Sequence, residues 1–170
     1  MPYYEIPDAP DHYSAGTVVS RLIDGLGFRY YWATEGLRTE DLAYRPSAEA
    51  RTSRETLEHI YGLCNMVLNS ALKQPNSNED ISSLTFEELR RRTLENLAKA
   101  SGVFRNNDDI SDFKIIFKRG EETSEIPFWN QLNGPIADAL WHVGQVVSMR
   151  RSSGNPFNSK ASVFSGKVRQ

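Results

Sequence analysis

One cysteine in 170 residues rules out an internal disulfide, so packing alone must hold this chain together. That residue, Cys64, lies inside an apolar helical pattern, where a buried structural role is expected rather than a reactive thiol. Long apolar runs are also missing. No stretch approaches the roughly 20 residues needed to span a bilayer, so no membrane partner is expected. The start, Met1-Pro2-Tyr3-Tyr4-Glu5, lacks the basic and apolar regions of a signal peptide, and the expectation is cytoplasmic residence. An excess of one charge is absent too. Twenty basic against 22 acidic side chains leave a formal charge of -2 and no broad field for polyanions, so nucleic acid is not expected as a partner. There is no internal repeat and no low-complexity segment. What the chain does have is apolar volume: 39% hydrophobic residues, with three Trp, seven Tyr and eight Phe, enough to exclude global disorder. Its length fits one domain.

The apolar residues recur at helical spacing in four places. Val18, Val19, Leu22, Ile23, Leu26, Tyr30 and Ala33 predict a helix over 15–36. An extended connection from Gly36 to Ala50 follows, because Pro46 restricts Arg45. Thr52-Ser53-Arg54-Glu55 fits a capping box and opens a second helix over 52–73, with Leu57, Ile60, Tyr61, Cys64, Val67, Leu68 and Leu72 on its apolar stripe. Gln74-Pro75-Asn76-Ser77-Asn78 reads as a loop. Thr85-Phe86-Glu87-Glu88 repeats the capping pattern and starts a third helix over 85–104, buried through Leu89, Thr93, Leu97, Ala100 and Phe104 and solvated through Arg91, Arg92, Glu95 and Lys99. Ile115-Ile116-Phe117 and the run from Glu125 to Trp129 flank Gly120, which predicts a small hairpin or an ordered extended loop. Asn133-Gly134-Pro135 opens a fourth helix over 134–151, with Arg150-Arg151 suited to its own carbonyl end.

Four helices of about five turns imply an all-α fold, a four-helix bundle. Residues 156–170 read as a loosely structured basic tail, and residues 1–13 as an acidic one. Two solvated tails are expected, with contact between the termini as the alternative.

The fourth helix carries the chemical signal. At about 100° per residue, Asp138, His142, Gln145 and Met149 fall within about 60° of one another on the helical wheel. Their neighbours between Ile136 and Val147 are uncharged. A carboxylate or imidazole in apolar surroundings needs a hydrogen bond, a partner or a metal. On the second helix, His59 stands at the border of a wide apolar arc with Leu63 and Met66. Asp138 and His142, four residues apart, project side by side, and a histidine from a neighbouring helix would complete a three-ligand site. Two nitrogens and one oxygen suit zinc, nickel, iron or manganese and leave positions open for water or substrate. A metal-free account also exists, in which Asp138 and His142 satisfy each other and the helix start stabilises the carboxylate. Two further residues are weak catalytic candidates. Gln145 could orient a ligand, and Glu55, one turn before His59, is placed for a general base, although its capping duty explains it. His12 is expected on the surface. Trp129 and Trp141 could wall a pocket, but as large aromatics they are expected in the core.

These residues sit in a wider pattern: Trp32-Ala33-Thr34-Glu35-Gly36-Leu37, Asp41-Leu42-Ala43-Tyr44-Arg45-Pro46, Glu55-Thr56-Leu57-Glu58-His59-Ile60, Leu140-Trp141-His142-Val143-Gly144-Gln145-Val146, and Gly154-Asn155-Pro156. The chain resembles the DinB/YfiT-like family of metalloenzymes as far as Phe157. The resemblance implies a four-helix bundle, a homodimer, and a divalent metal held by His59, Asp138 and His142. Asp138 departs from the pattern, because the family's usual residue there is histidine. It also implies a small-molecule substrate and a metal-activated water or low-molecular-weight thiol, in a hydrolase or a thiol-dependent transferase. Two other readings follow from the residues themselves: a metal-free dimeric bundle acting as a binding or interaction module, and an iron oxygenase suggested by the two-histidine, one-carboxylate set.

Overall fold

The computed structural model describes residues 1–77 and 79–170. The chain is mostly helical with a small sheet. In order along the chain are α1 (Ala15–Thr34), α2 (Thr39–Ala43), α3 (Ser53–Ala71), α4 (Phe86–Arg105), α5 (Trp129–Gln131) and α6 (Ala137–Ser152). The four long ones pack in a ring: α1 on α4, α4 on α3, α3 on α6, and α6 back on α1. Among the described residues, no helix is long and apolar enough to cross a membrane.

Local chemistry explains where these helices start. Ser14, Thr52 and Thr85 each accept a hydrogen bond from the backbone amide three residues on, and the side chain at that position answers the cap's own amide. Long-range packing explains why they stay. Ile23, Leu26 and Tyr30 from α1 meet Leu57, Ile60, Cys64 and Val67 from α3, Leu94, Leu97 and Phe104 from α4, and Ala139, Val143 and Val146 from α6 in one core. Each large apolar side chain fully buried there contributes about 1.5–3 kcal/mol. The α1–α4 contact is close because Gly16 has no side chain: a Cβ there would stand 1.8 Å from the carbonyl oxygen of Asn107. Val18 and Leu22, expected on the buried stripe of the first helix, are exposed instead. Their places toward the core are taken by Ser20 and Asp24, which bond to Ser101 on α4.

Three expectations for the connecting segments need correction. The stretch from Gly36 to Ala50 is not extended throughout, because Thr39–Ala43 forms the short helix α2, held by the Asp41 carboxylate folding back onto the Arg38 amide at 2.8 Å. The hairpin is present as β2 (Ile115–Arg119) against β3 (Glu122–Ile126), but Pro75–Asn76, read as a loop, joins it as a parallel strand β1. Asn78, the last residue of that expected loop, lies outside the described residues. The tail is not loose. Ala161–Ser162 (β4) and Lys167–Val168 (β5) pair antiparallel, Ile6 donates to the Gly166 carbonyl at 2.9 Å, and Lys167 pairs with Glu5 at 3.2 Å. Ile6, Phe28, Trp32 and Ala161 form a second small core there. The two termini are thus in contact, with one ion pair between the acidic start and the basic end, which is the alternative reading of the termini.

Arg150 also has a different task from the one expected. Its guanidinium does not serve the end of its own helix; Nη1 donates to the carbonyls of Trp32, Ala33 and Glu35 at 3.0 Å, so it caps the carbonyl end of α1.

Candidate metal centre

Two helices supply the site, and an irregular turn aims one of them. Before α6 the chain makes a π-helical turn over Leu132–Ile136, in which Gly134 leaves helical geometry and Pro135 has no amide to donate. The regular helix then begins with Asp138 in its first turn and His142 one turn later. Across from them, α3 presents His59 from the border of its buried face.

The three side chains meet. His59 Nε2 lies 3.2 Å from Asp138 Oδ2, and His142 Nε2 lies 3.4 Å from Asp138 Oδ1. The two imidazole rings stand edge to face with centroids 4.7 Å apart. One ligand atom from each residue lies within 4.8 Å of the others, so the group could hold a metal ion. Four ligands on bonds of about 2.1 Å stand about 3.4 Å apart at the corners of a tetrahedron, and the two histidine–carboxylate separations, 3.2 and 3.4 Å, are near that value. Side-chain exposures of 34% for His59, 41% for Asp138 and 15% for His142 leave the group rooted in the fold yet open on one side.

His142 Nδ1 lies 2.8 Å from Gln145 Oε1, and His142 Nε2 faces Asp138 Oδ1. With Nδ1 donating to the amide oxygen, Nε2 of the neutral ring is free to ligate a cation, whereas the doubly protonated ring would itself donate to the carboxylate. A backing hydrogen bond to the far ring nitrogen is the usual arrangement of a metal-binding histidine.

Comparison with known protein families, curated proteins and solved structures returns no match. The centre therefore rests on its own geometry. Gln145, a candidate from its spacing, lies within hydrogen-bond distance of His142 Nδ1, at 2.8 Å, rather than in the ligand group. Its substitution by alanine is expected to weaken zinc binding by about 10- to 100-fold in a chelator-competition titration, because the ring loses its tautomer lock. An unchanged affinity would remove Gln145 from the site.

Glu55 is not brought into the group. Its Oε2 accepts from the Thr52 amide at 2.7 Å and the Thr52 hydroxyl at 3.0 Å, and Arg45 approaches to 3.8 Å. The Thr52 hydrogen bonds hold its carboxyl below the usual range, which makes it a poor base. Cys64 is buried in the core, and burial alone pushes its thiol far above the ordinary value. His12 is exposed and pairs with Asp108 at 3.0 Å. The two tryptophans are not core residues: Trp129 is 77% and Trp141 72% exposed.

Trp141 instead lines a cleft of about 580 Å³ that reaches His142 and Gln145. Tyr44, Pro46 and Arg51 form part of its wall, and Ser148, Met149 and Ser152 continue it along α6. Sequence reasoning missed Tyr44 and Arg51, because nothing in the local pattern says which helix the connection after α2 lies against. The Arg45-Pro46 pair was the one signal that this stretch has a defined path.

Proposed function

We propose that this protein is a metal-dependent enzyme of the DinB/YfiT-like type, a four-helix bundle in which His59, Asp138 and His142 hold a divalent cation. The observation that carries the proposal is the meeting of His59 with Asp138 and His142 from separate helices, with one ligand atom of each within 4.8 Å of the others. Zinc, nickel, iron and manganese all accept this donor set, and the carboxylate in place of a third nitrogen favours the harder ions among them. When bound there, a divalent cation would supply Lewis acidity, lowering the pKa of a water or small thiol toward neutral pH. The chain's own residues supply the rest. Gln145 fixes the His142 ring, Asp138 contributes the negative charge that attracts the cation, and the adjoining cleft admits a small substrate. The reaction class is hydrolysis or thiol-dependent group transfer.

One observation favours a second reading, a metal-free interaction module. His59 Nε2 can donate to Asp138 Oδ2 at 3.2 Å, which satisfies both groups without an ion. Elemental analysis of untagged protein, paired with thermal unfolding in chelator and in added zinc or manganese, separates the two. About one ion per chain and a melting temperature that falls on chelation are expected, since a ligand that binds the native state raises apparent stability. Metal far below one per chain, with melting indifferent to both chelator and added metal, would overturn the enzyme reading.

A further inference from the structure

The cleft beside His142 has an uneven chemistry. Among the described residues that line it, Arg51 is the one charged side chain. Arg51 is exposed and has no ion pair or hydrogen bond among the described residues. Glu55, the carboxylate at the adjoining helix start, accepts from Thr52, pairs with Arg45 and feels the charge of Arg51 without bonding it. A guanidinium with no hydrogen bond of its own, on the wall of a cleft, can offer its fork of donors to an anionic oxygen group.

The rest of the lining suits the body of such a ligand. Trp141 leaves most of its indole uncovered, and Tyr44 and Pro46 lie on the same cleft, so flat apolar surfaces border it. Ser152 lines it too, and the hydroxyls of Tyr44 and Ser152 have no hydrogen-bond partner among the described residues. The volume, about 580 Å³, lies within the roughly 300–1,000 Å³ typical of small-molecule sites. His142 and Gln145 lie along the same cleft, so a ligand held by Arg51 shares it with one of the three metal ligands, His142.

We infer that this cleft binds a small organic anion with a flat apolar body, its carboxylate or phosphate on Arg51 and its body against Trp141 and Tyr44. The identity of this molecule as the substrate rests on the metal-enzyme reading; its binding does not. Calorimetric titration with phenylacetate, phenyl phosphate, the neutral 2-phenylacetamide and the cationic phenethylammonium tests the idea, in metal-stripped and metal-loaded protein.

In the stripped protein, at least one anion is expected to bind 10-fold or more tightly than the amide, and phenethylammonium most weakly. The tighter of the two anions identifies the headgroup. Arg51→Gln is expected to reduce the preference to below 3-fold, with circular dichroism and metal content unchanged. Trp141→Ala is expected to weaken all four probes together. Equal affinities for all probes, or a preference that survives Arg51→Gln, would overturn the inference. A preference seen only in loaded protein and indifferent to Arg51 puts the anion on the cation, which sinks this inference and leaves the metal reading intact. An Arg51-dependent preference in a protein that never takes up metal does the reverse.

Discussion

Replacing His59 with alanine is expected to lower metal affinity by more than the roughly 100-fold upper range seen when only a supporting hydrogen bond is lost. The reason lies in the division of the site between helices. Asp138 and His142 are one turn apart on α6 and meet wherever that helix goes, whereas His59 arrives from α3, 79 residues earlier in the chain than Asp138. Without it two ligands remain, both on one helix, and the cation loses the contact that joins α3 to α6. The fold should survive, because the His59 side chain is about one-third exposed and the packing of α3 rests on Leu57, Ile60, Cys64 and Val67. Stability offers an independent readout. At a free metal concentration 100 times its dissociation constant, the wild type gains about 2.7 kcal/mol, and the variant should lose that metal-dependent gain while keeping its metal-free melting temperature. A variant that binds metal as tightly as the wild type would exclude His59 as a ligand.

The second large effect is expected far from the metal ligands, at Asp41. This carboxylate is fully buried and accepts five hydrogen bonds: from the Arg38 amide at 2.8 Å, Arg38 Nε and Nη2 at 2.9 Å, and Ser153 and Asn155 at 2.6 Å. Asn155 in turn bonds Arg150, the residue that caps α1. Asp41 thus ties α2, the end of α6 and the end of α1 into one polar joint. Removing this acceptor leaves the Arg38 amide, Ser153 and Asn155 without their partner, while the Arg38 guanidinium stays half-exposed and paired with Glu40 at 3.2 Å, so Asp41→Ala should cost about 1–3 kcal/mol. At about 2–4 °C per kcal/mol for a chain of this size, the melting temperature should fall by about 2–12 °C.

The same joint sets an acid dependence. The Arg38 hydrogen bonds, then those from Ser153 and Asn155, hold the Asp41 carboxyl well below the ordinary carboxylate range. A carboxyl with a depressed folded pKa adds stability that is complete above its unfolded value, about 3.9, and drains away as pH falls toward the folded value. Urea unfolding between pH 6 and pH 2.5 should show the wild type losing stability below about pH 4. Asp41→Asn, less stable at neutral pH, should show a shallower acid slope, and an equal slope in the two proteins would count against this assignment.

The failures of sequence reasoning share a cause with its successes. The helices at 15–34, 53–71 and 86–105 were legible because capping boxes and apolar spacing act within a few residues of chain. Arg150 was misjudged because a guanidinium suits any nearby row of carbonyls, and its own helix end was the one visible in the sequence. Val18 and Leu22 were misplaced because spacing identifies a face but not what covers it. Asp24, with its carboxyl raised by burial and bonded to Ser101 and to Tyr3, sits inward at a position that the apolar pattern treats as surface. The short strand at Pro75–Asn76 and the closing of the two termini depend on partners about 40 and 160 residues away, which no local pattern encodes.

By itself, the sequence determined that Asp138, His142 and Gln145 share one helical face, since 100° per residue is a property of the backbone and needs no neighbour. Tertiary packing decided that His59 faces them, that Glu55 does not, and that Arg51 and Trp141 share a cleft beside them. Those outcomes depend on which surfaces of α3, α6 and the connection after α2 are buried against each other, a free-energy balance settled by the whole core at once.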